Sequence, residues 1–463
     1  MYHDSIAARG GLASARGSLR LIAAIVIVMA LALLAGCSGG CSEGDPDPAP
    51  AGNQLSPMGQ LGEKIFFDTA LSASGQQSCA TCHVRERAYA ADDDLAVPFG
   101  GPGMDFAGLR NAPSLAYVQF TPPFGFDKDG APFGGFFRDG RAASLAQQAE
   151  MPFLTSFEMA NASADEVLSR LLTRPYLDEF KAVFGPDAAT DGTTTLHQIG
   201  QALAQYQSED RSFHAFSSKY DAYLQGRAQL TQAELNGLAL FNNPAKGNCT
   251  ACHVSTPTGS TPALFTDFTY DNVGLPRNWR IAANIDGNTL EYVPHNGTGL
   301  GQPWHDYYDM GLCGPLRTDL ASRTSLCGAF KVPTLRNIAL TAPYFHNGVF
   351  DTLEEAVAWY VTRDTMQARW YVRPDGSPDI PYNDLPTVYA AGVNVTEVPY
   401  IPGLAPTLSN REIADVVRFL CTLTDGFDPA NPSAYRVPSQ CNATEASVAA
   451  TLAGPARYAR LRR

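Results

Sequence analysis

The 463-residue sequence has no apolar run of the ~20 residues that a membrane-spanning helix needs, which excludes a polytopic membrane protein. It also lacks an excess of positive charge. Its formal net charge is −13, which excludes a nucleic-acid-binding protein. Charged residues make up only 17% of the chain and hydrophobic residues 45%, a balance that disordered proteins do not have. At about 150 residues per domain, the length predicts a globular protein of two or three domains.

The start of the chain has the pattern of an export signal. Residues 21–35 form a short apolar segment preceded by three arginines, which is typical of a secretory signal rather than of a membrane span. The following Leu-Ala-Gly-Cys37 resembles a bacterial lipobox, whose cysteine becomes the lipidated first residue; the alternative is an anchor helix that ends at an unrelated cysteine. We expect a signal peptide at 1–36, a flexible Gly- and Pro-rich tether at 37–56, and a periplasmic protein anchored by lipid at Cys37.

Two copies of the pattern Cys-x-x-Cys-His carry the chemistry of the chain. Two thiols one helical turn apart can each form a thioether to a haem vinyl group, and the adjacent histidine then becomes the proximal ligand of the iron. A zinc site is the alternative. In zinc sites, however, the two cysteine pairs are usually only ~15–20 residues apart, and neither pair needs a histidine directly after it. The pattern therefore predicts two covalently attached c-type haems. The attachment residues are Cys79, Cys82 and His83 for the first haem, and Cys249, Cys252 and His253 for the second.

Four cysteines in the second half of the chain are expected to form disulfides, because an exported protein meets an oxidising compartment. We predict the pairs Cys313–Cys327 and Cys421–Cys441. Spacing alone does not determine this pairing, so the connectivity is a hypothesis at this point.

The chain repeats the order of its landmarks around the two motifs. A glycine-to-phenylalanine segment precedes each motif, at 62–66 and 237–241, and a Pro-Ser/Thr-Leu triplet follows each; such repetition indicates a duplicated domain. Apolar residues at spacings of three and four predict helices at 163–184, 195–208 and 409–423, whereas strand-like alternation is scarce. We expect a mainly α fold with long loops and little β structure, built from two tandem cytochrome-c-like haem domains. The expected units are 57–225, 226–430 and a C-terminal tail at 431–463.

Ordered motifs between residues 57 and 430 resemble the bacterial di-haem cytochrome c peroxidase family, including its MauG-type branch. The resemblance implies that the first domain cleaves hydrogen peroxide, that the second stores electrons, and that a small cytochrome c or a cupredoxin donates them. In the MauG-type branch, peroxide instead oxidises side chains of a partner protein; a homodimer is typical of the family. The motifs are Leu-Gly-Glu-Lys-Ile-Phe-Phe-Asp68, Arg-Asn-Ala-Pro-Ser114, Asp-Gly-Arg-Ala-Ala-Ser-Leu145 and the segment from Val332 to Gly348.

The resemblance also implies roles near the first haem. Cleavage of the O–O bond requires an open axial position on the iron and a group that moves a proton between the two oxygens. The family's distal acid falls at Glu158, and Gln148 matches a distal glutamine of the MauG-type branch; on its own, Glu158 would be a solvated carboxylate beside a helix end. Loop 84–109 has no histidine and only Met104 as a soft ligand, so we predict a five-coordinate or water-bound first haem. Besides the peroxidase and the MauG-type enzyme, a third possible function is that of an electron carrier without catalysis. An acid at this position argues against it.

Two further sites come from the same resemblance. The distal ligand position of the second haem falls at Tyr360, with Met366 as the rival; a phenolate would lower the potential of the iron, and a core tyrosine is the alternative. A calcium ion between the haems would be held by Asn111 and by backbone oxygens around Thr341 and Pro343. Oxygen-only ligands suit such a hard cation, although these could be ordinary turn residues.

The chain departs from the family pattern at Arg138, where the family commonly has a tryptophan that is thought to relay electrons between the haems. All four tryptophans of this sequence lie in its second half. The sequence therefore does not identify a residue that would relay electrons between the haems. The guanidinium of Arg138 could instead bind a haem propionate.

Overall fold

A computed structural model of the chain describes residues 54–92, 95–285, 307–403 and 405–454. The expected signal peptide, Cys37 and residues 37–53 of the tether lie outside these ranges, so these expectations stay predictions. Among the helices within the described ranges, none combines the length and apolar character that crossing a membrane requires.

Helices carry most of the regular structure of the first half. Helix α1 (Pro57–Phe67) begins after Ser56, whose side chain accepts a hydrogen bond from the backbone of Gly59 and so caps the helix. The other described helices of this half are α2 (Cys79–Cys82), α3 (Leu145–Leu154), α4 (Ala164–Leu171), α5 (Leu177–Phe184), α6 (Gly192–Glu209) and α7 (Lys219–Leu224). The longest of these, α6, lies against α1, α3 and α4.

The predicted helix at 163–184 is two helices in the structure. Helix α4 ends at Leu171 and α5 begins at Leu177, with Pro175 in the turn between them. Proline removes a backbone N–H donor and its ring disfavours helical backbone at the preceding residue, which explains the interruption. The predicted helix at 195–208 lies inside α6, as the periodicity indicated.

The second half packs around helix α11 (Asn410–Cys421), which lies against α8 (Gln232–Asn242), α9 (Leu353–Thr362) and α12 (Glu445–Ala453). Helix α11 corresponds to the predicted closing helix at 409–423 and begins with a capping box formed by Ser409 and Glu412. Helix α12 lies beyond residue 430, so part of the expected tail packs onto the second half. The remaining α-helix described in this half is α10 (Gln367–Trp370).

The repeated glycine has the same structural role in both halves. A Cβ atom added to Gly62 in α1 would lie 1.9 Å from the backbone oxygen of Ala202 in α6. A Cβ atom added to Gly237 in α8 would lie 2.0 Å from the backbone oxygen of Asp415 in α11. Both helix pairs therefore approach more closely than any side chain allows, which explains why glycine recurs at this position.

The described strands form three two-stranded antiparallel ribbons, which confirms a mainly helical fold with little β structure. The ribbons pair β1 (Phe99–Gly100) with β2 (Phe106–Ala107), β3 (Gly125–Phe126) with β4 (Pro132–Phe133), and β5 (Tyr270–Asp271) with β6 (Phe330–Lys331). In register, Phe99 faces Ala107, Gly125 faces Phe133 and Tyr270 faces Lys331.

Two large hydrophobic cores follow each other along the chain. The first draws its buried residues from Leu61 to Phe213, and the second from Tyr220 to Val448. Backbone contacts nevertheless group Leu55–Arg463 into one compact unit. The boundary between the cores falls a few residues before the predicted domain boundary at 225.

Both predicted disulfides are confirmed. One joins Cys313 to Cys327, and the other joins Cys421, at the end of α11, to Cys441. The second disulfide fixes the segment before α12 against the second core.

Candidate active site

The two Cys-x-x-Cys-His motifs lie on the wall of one continuous cavity of about 460 Å³. Helix α2 and its flanking residues present the first motif, and a 3₁₀ turn (Cys249–Ala251) presents the second. We call them the first haem site (Cys79, Cys82 and His83) and the second haem site (Cys249, Cys252 and His253). A mainly apolar cavity of this size is typical of a buried cofactor site.

The histidine of each site is oriented by a backbone carbonyl. The Nδ1 atom of His83 lies 2.9 Å from the oxygen of Tyr89, and that of His253 lies 2.9 Å from the oxygen of Phe265. Burial lowers the pKa of both imidazoles, so both are neutral at physiological pH. Because a carbonyl can only accept a hydrogen bond, Nδ1 carries the proton and Nε2 is the nitrogen available to a metal.

The cysteines of both sites fit covalent haem better than zinc. Among the described cysteines, these four are the ones outside the two disulfides. Burial raises the pKa of Cys79 and of Cys249 to about 12, so both thiols are protonated in the protein without its cofactor. In the described ranges, no group of three or more His, Cys, Asp or Glu side chains is arranged to hold a metal ion. A haem needs only the two thiols and one histidine that each site provides.

Two predicted residues of the distal pocket lie on the same cavity wall as the first haem site. Glu158 follows α3 in a turn where its N–H donates to the oxygen of Thr155 at 2.9 Å, and Gln148 lies on α3 itself. Burial raises the pKa of Glu158 to about 7, although the nearby charge of Arg141 opposes this shift. A carboxyl group with this pKa can both accept and donate a proton near neutral pH.

The loop at 84–109 brings no iron ligand to the cavity in its described part, which omits residues 93–94. Met104 does not line the cavity, and its sulfur accepts a hydrogen bond from Ser74 at 3.6 Å. The loop residues on the cavity wall are Pro98, Gly108 and Leu109, none of which can ligate iron through its side chain. An open axial position at the first haem stays a prediction, and the described part of this loop offers no ligand that would fill it.

The two rival candidates for the distal ligand of the second haem are Tyr360 and Met366, and they lie in different places. Tyr360 lies on α9 and lines the cavity, and burial raises the pKa of its phenol. Met366 precedes α10, packs against the second core and does not line the cavity. The sequence offered no signal for Tyr400, a buried cavity residue whose ring centroid lies 5.9 Å from that of Tyr360. The guanidinium of Arg363 lies 4.6 Å above the Tyr400 ring.

A buried group of charged side chains, which we call the Arg110 cluster, adjoins the cavity. Arg110 bonds to Asp139 at 2.8 Å and to Asp309 at 2.5 Å, and Arg141 bonds to Asp139 at 3.0 Å. Burial acts to raise the pKa of Asp139, but Arg110 and Arg141 hold it at about 2. The members are Arg110, Arg138, Asp139, Arg141, Asp309 and Lys331, so four basic side chains face two carboxylates.

Arg138 and Lys331 have no ion-pair partner among the described carboxylates. Burial lowers the pKa of Arg138 to about 10 and that of Lys331 to about 7, and both side chains line the cavity. Buried positive charge of this kind is unfavourable unless an anion pairs with it. The propionate groups of a haem would supply that anion, so the charges around the cavity also fit the cofactor.

The three residues expected around calcium all lie on the cavity wall: Asn111, Thr341 and Pro343. The side-chain oxygen of Asn111 is already an acceptor for Arg138, and the hydroxyl of Thr341 donates to the oxygen of Ile338 at 3.3 Å. His346, at the end of the same motif, lies with Nε2 3.1 Å from a carboxylate oxygen of Asp384 and stacks on Phe330 at 3.6 Å.

The residues therefore define a protein with two c-type haem sites, and a carboxyl group of raised pKa, that of Glu158, lies near Cys79 of the first site. The model of the di-haem cytochrome c peroxidase family matches residues 57–229. The chain is 34% identical over 379 residues to the methylamine utilization protein MauG of Paracoccus denitrificans, which covers 80% of this chain and 88% of MauG. It is 29% identical to the cytochrome c551 peroxidase of Nitrosomonas europaea, over 65% of this chain and 71% of that protein.

A solved structure agrees with these relatives. The diheme peroxidase BthA from Burkholderia thailandensis matches with a TM-score of 0.69 at 38% identity, covering 84% of this chain and 92% of that one. The chain belongs to the di-haem cytochrome c peroxidase family. It is an oxidoreductase, and the family implies two c-type haems.

Proposed function

We propose that the protein reduces hydrogen peroxide to water at the first haem site, with electrons from a small periplasmic cytochrome c or a cupredoxin. One observation carries this proposal: Glu158, with a pKa of about 7, lies on the same cavity wall as His83. The reaction consumes one peroxide, two electrons and two protons and yields two water molecules.

Each haem would be held by the residues of its own site. Cys79 and Cys82 would attach the first haem as thioethers and Nε2 of His83 would be available to its iron, and Cys249, Cys252 and His253 would do the same for the second. When bound, a c-type haem supplies the iron at which peroxide exchanges electrons. Arg138 and Lys331 are the cavity cations available to propionates.

Glu158 moves the proton in this proposal. As a carboxylate it accepts the proton of the peroxide oxygen nearer the iron, and as an acid it donates that proton to the leaving oxygen. Gln148, on α3, can hydrogen-bond the substrate and orient it. Pro152, one turn further along α3, also lines the cavity.

The second haem site stores electrons in this proposal, within an electron-transfer domain at 226–430 that complements a peroxidatic domain at 57–225. Tyr360 is the proposed distal ligand, because it lines the cavity and Met366 does not. The same observation favours a second candidate function, a MauG-type oxidation of side chains on a partner protein. An anionic phenolate lowers the potential of iron and makes a high-potential electron-entry site unfavourable.

One experiment separates the two candidates. The protein, purified fully oxidised and without pre-reduction, is mixed with peroxide and a reduced small cytochrome c. Rapid oxidation of the cytochrome supports the peroxidase. Negligible turnover, with stoichiometric consumption of peroxide and a long-lived change in the haem spectrum, supports the MauG-type reaction. No consumption of peroxide would contradict both and indicate an electron carrier.

We also propose a periplasmic location, with lipid at Cys37 and a homodimeric state. The two disulfides support an oxidising compartment. The lipid is tested by mass spectrometry of the mature N-terminus, and the dimer by sedimentation of the chain without residues 1–37.

A further inference from the structure

The calcium ion implied by the family resemblance does not fit the contacts of Asn111. We propose that the guanidinium of Arg138 takes the place of this ion, so that the protein contains no calcium between its haem sites. The proposal concerns metal content, and it is independent of which peroxide reaction the protein performs.

Arg138 already uses the oxygens of Asn111. Its Nη2 donates to the side-chain oxygen of Asn111 at 2.9 Å, and its Nε donates to the backbone oxygen of the same residue at 3.2 Å. The amide nitrogen of Asn111 points to the oxygen of Ala96 at 3.5 Å, and the side chain is buried. Calcium would have to approach these oxygens to within 2.3–2.6 Å, where the guanidinium now lies.

A second guanidinium reaches the segment that contains the other two expected ligands. Arg87 donates from Nη2 to the backbone oxygen of Ala342 at 3.4 Å, between Thr341 and Pro343. Positively charged side chains therefore contact both segments that would enclose the ion. Two like charges at such short range oppose the binding of a divalent cation.

The carboxylates of this region are already committed. Asp139 and Asp309 both bond to Arg110, and the Arg110 cluster has more basic than acidic side chains. Sites that bind calcium tightly usually include carboxylates, and both carboxylates of the Arg110 cluster are already bonded to Arg110. A calcium ion would increase an excess of positive charge that is already buried.

Arg138 also makes the connection between segments that an ion would make. Its backbone oxygen accepts a hydrogen bond from the N–H of Lys331 in β6 at 2.8 Å. The N–H of Asn111 donates to the backbone oxygen of His346, also at 2.8 Å. Arg138 and Asn111, bonded to each other, thus join the first half of the chain to two segments of the second half. The guanidinium is a covalent part of the chain and, unlike an ion, cannot dissociate.

The first test measures calcium in the holoprotein. The protein is loaded in calcium chloride and desalted into metal-free buffer, and calcium is then measured by mass spectrometry against two irons per chain. We expect fewer than about 0.1 calcium ions per chain, and no change of the haem spectrum on addition of a chelator. One calcium ion per chain would overturn the proposal.

The second test removes the guanidinium. Arg138→Gln frees both oxygens of Asn111, and we expect this variant to gain calcium, with a melting temperature that rises with calcium but not with magnesium. Arg141→Gln is the matched control, because Arg141 bonds to Asp139 and does not contact Asn111; it should gain no calcium. If the Arg138→Gln holoprotein folds and still binds no calcium, the proposal that Arg138 takes the place of the ion is wrong. If that variant does not fold, the calcium content of the parent protein tests the proposal on its own.

Discussion

The two haem sites are alike in how the histidine is held and differ in the side chains that lie near the cysteines. In both, a neutral imidazole is fixed by a backbone carbonyl 2.9 Å from Nδ1. Glu158, whose carboxyl group has a pKa of about 7, lies close enough to Cys79 of the first site to interact with it electrostatically. The phenols of Tyr360 and Tyr400 lie in the same way near Cys252 of the second site. The two sites thus share the residues that would attach the cofactor, and they differ in the acidic or phenolic side chains beside them.

The largest effect should come from removing the acid of the first site. Glu158→Gln keeps the size of the side chain but cannot carry the proton, so peroxide cleavage should slow by about 100-fold or more. Stopped-flow spectroscopy of the haem bands measures this rate. Glu150→Gln, on the same helix as Gln148 but bonded to His197, is the matched control and should retain the parent rate. A parent-like rate in Glu158→Gln would remove the main distinction between the two sites.

The next prediction concerns the distal ligand of the second haem, which is expected to distinguish the second site from the first. Tyr360→Met replaces a hard oxygen with a soft sulfur, so the potential of the second haem should rise and turnover with a reduced cytochrome c should increase. Spectroelectrochemistry follows the potential. Met366→Leu should leave it unchanged, because Met366 does not line the cavity. An unaltered second-haem spectrum in Tyr360→Met would show that Tyr360 is not a ligand.

The pH dependence should also separate the sites. Burial raises the pKa of Glu158 above its usual value, so the acid is mostly protonated below pH 7 and mostly ionised above it. Because the ionised form must accept the first proton, the rate of peroxide cleavage should rise about tenfold per pH unit below pH 7 and level off above it. This rise of the rate with pH should be missing in Glu158→Gln. A pH-independent parent rate would argue against proton transfer by Glu158.

The smallest effects concern the helix pairs that support each site. Gly62→Ala and Gly237→Ala should each cost about 1–3 kcal/mol of unfolding free energy, because the new methyl group would force the helices apart. Equal costs would show that the two halves depend on the same close approach. Gly392→Ala is the control, since its Cβ would meet no atom closer than 3.8 Å, and chemical denaturation should detect little change.

Local features of this protein could be predicted from its sequence. The haem motifs and the mainly helical fold depend on residues close together in the chain, whereas the role of Glu158 comes from the family resemblance and stays a prediction. The pairings across the cavity could not be predicted, because they join residues of long loops. Arg110 bonds to Asp309, which is 199 positions away, and neither residue carries a periodic signal. Tyr400 and Asp384 reach the cavity in the same way.

The shared cavity has a consequence for how the protein is made. Its wall is built from residues between Phe66 and Leu420, so both halves of the chain are needed to enclose it. We therefore expect that neither half, produced without the other, forms a complete haem site.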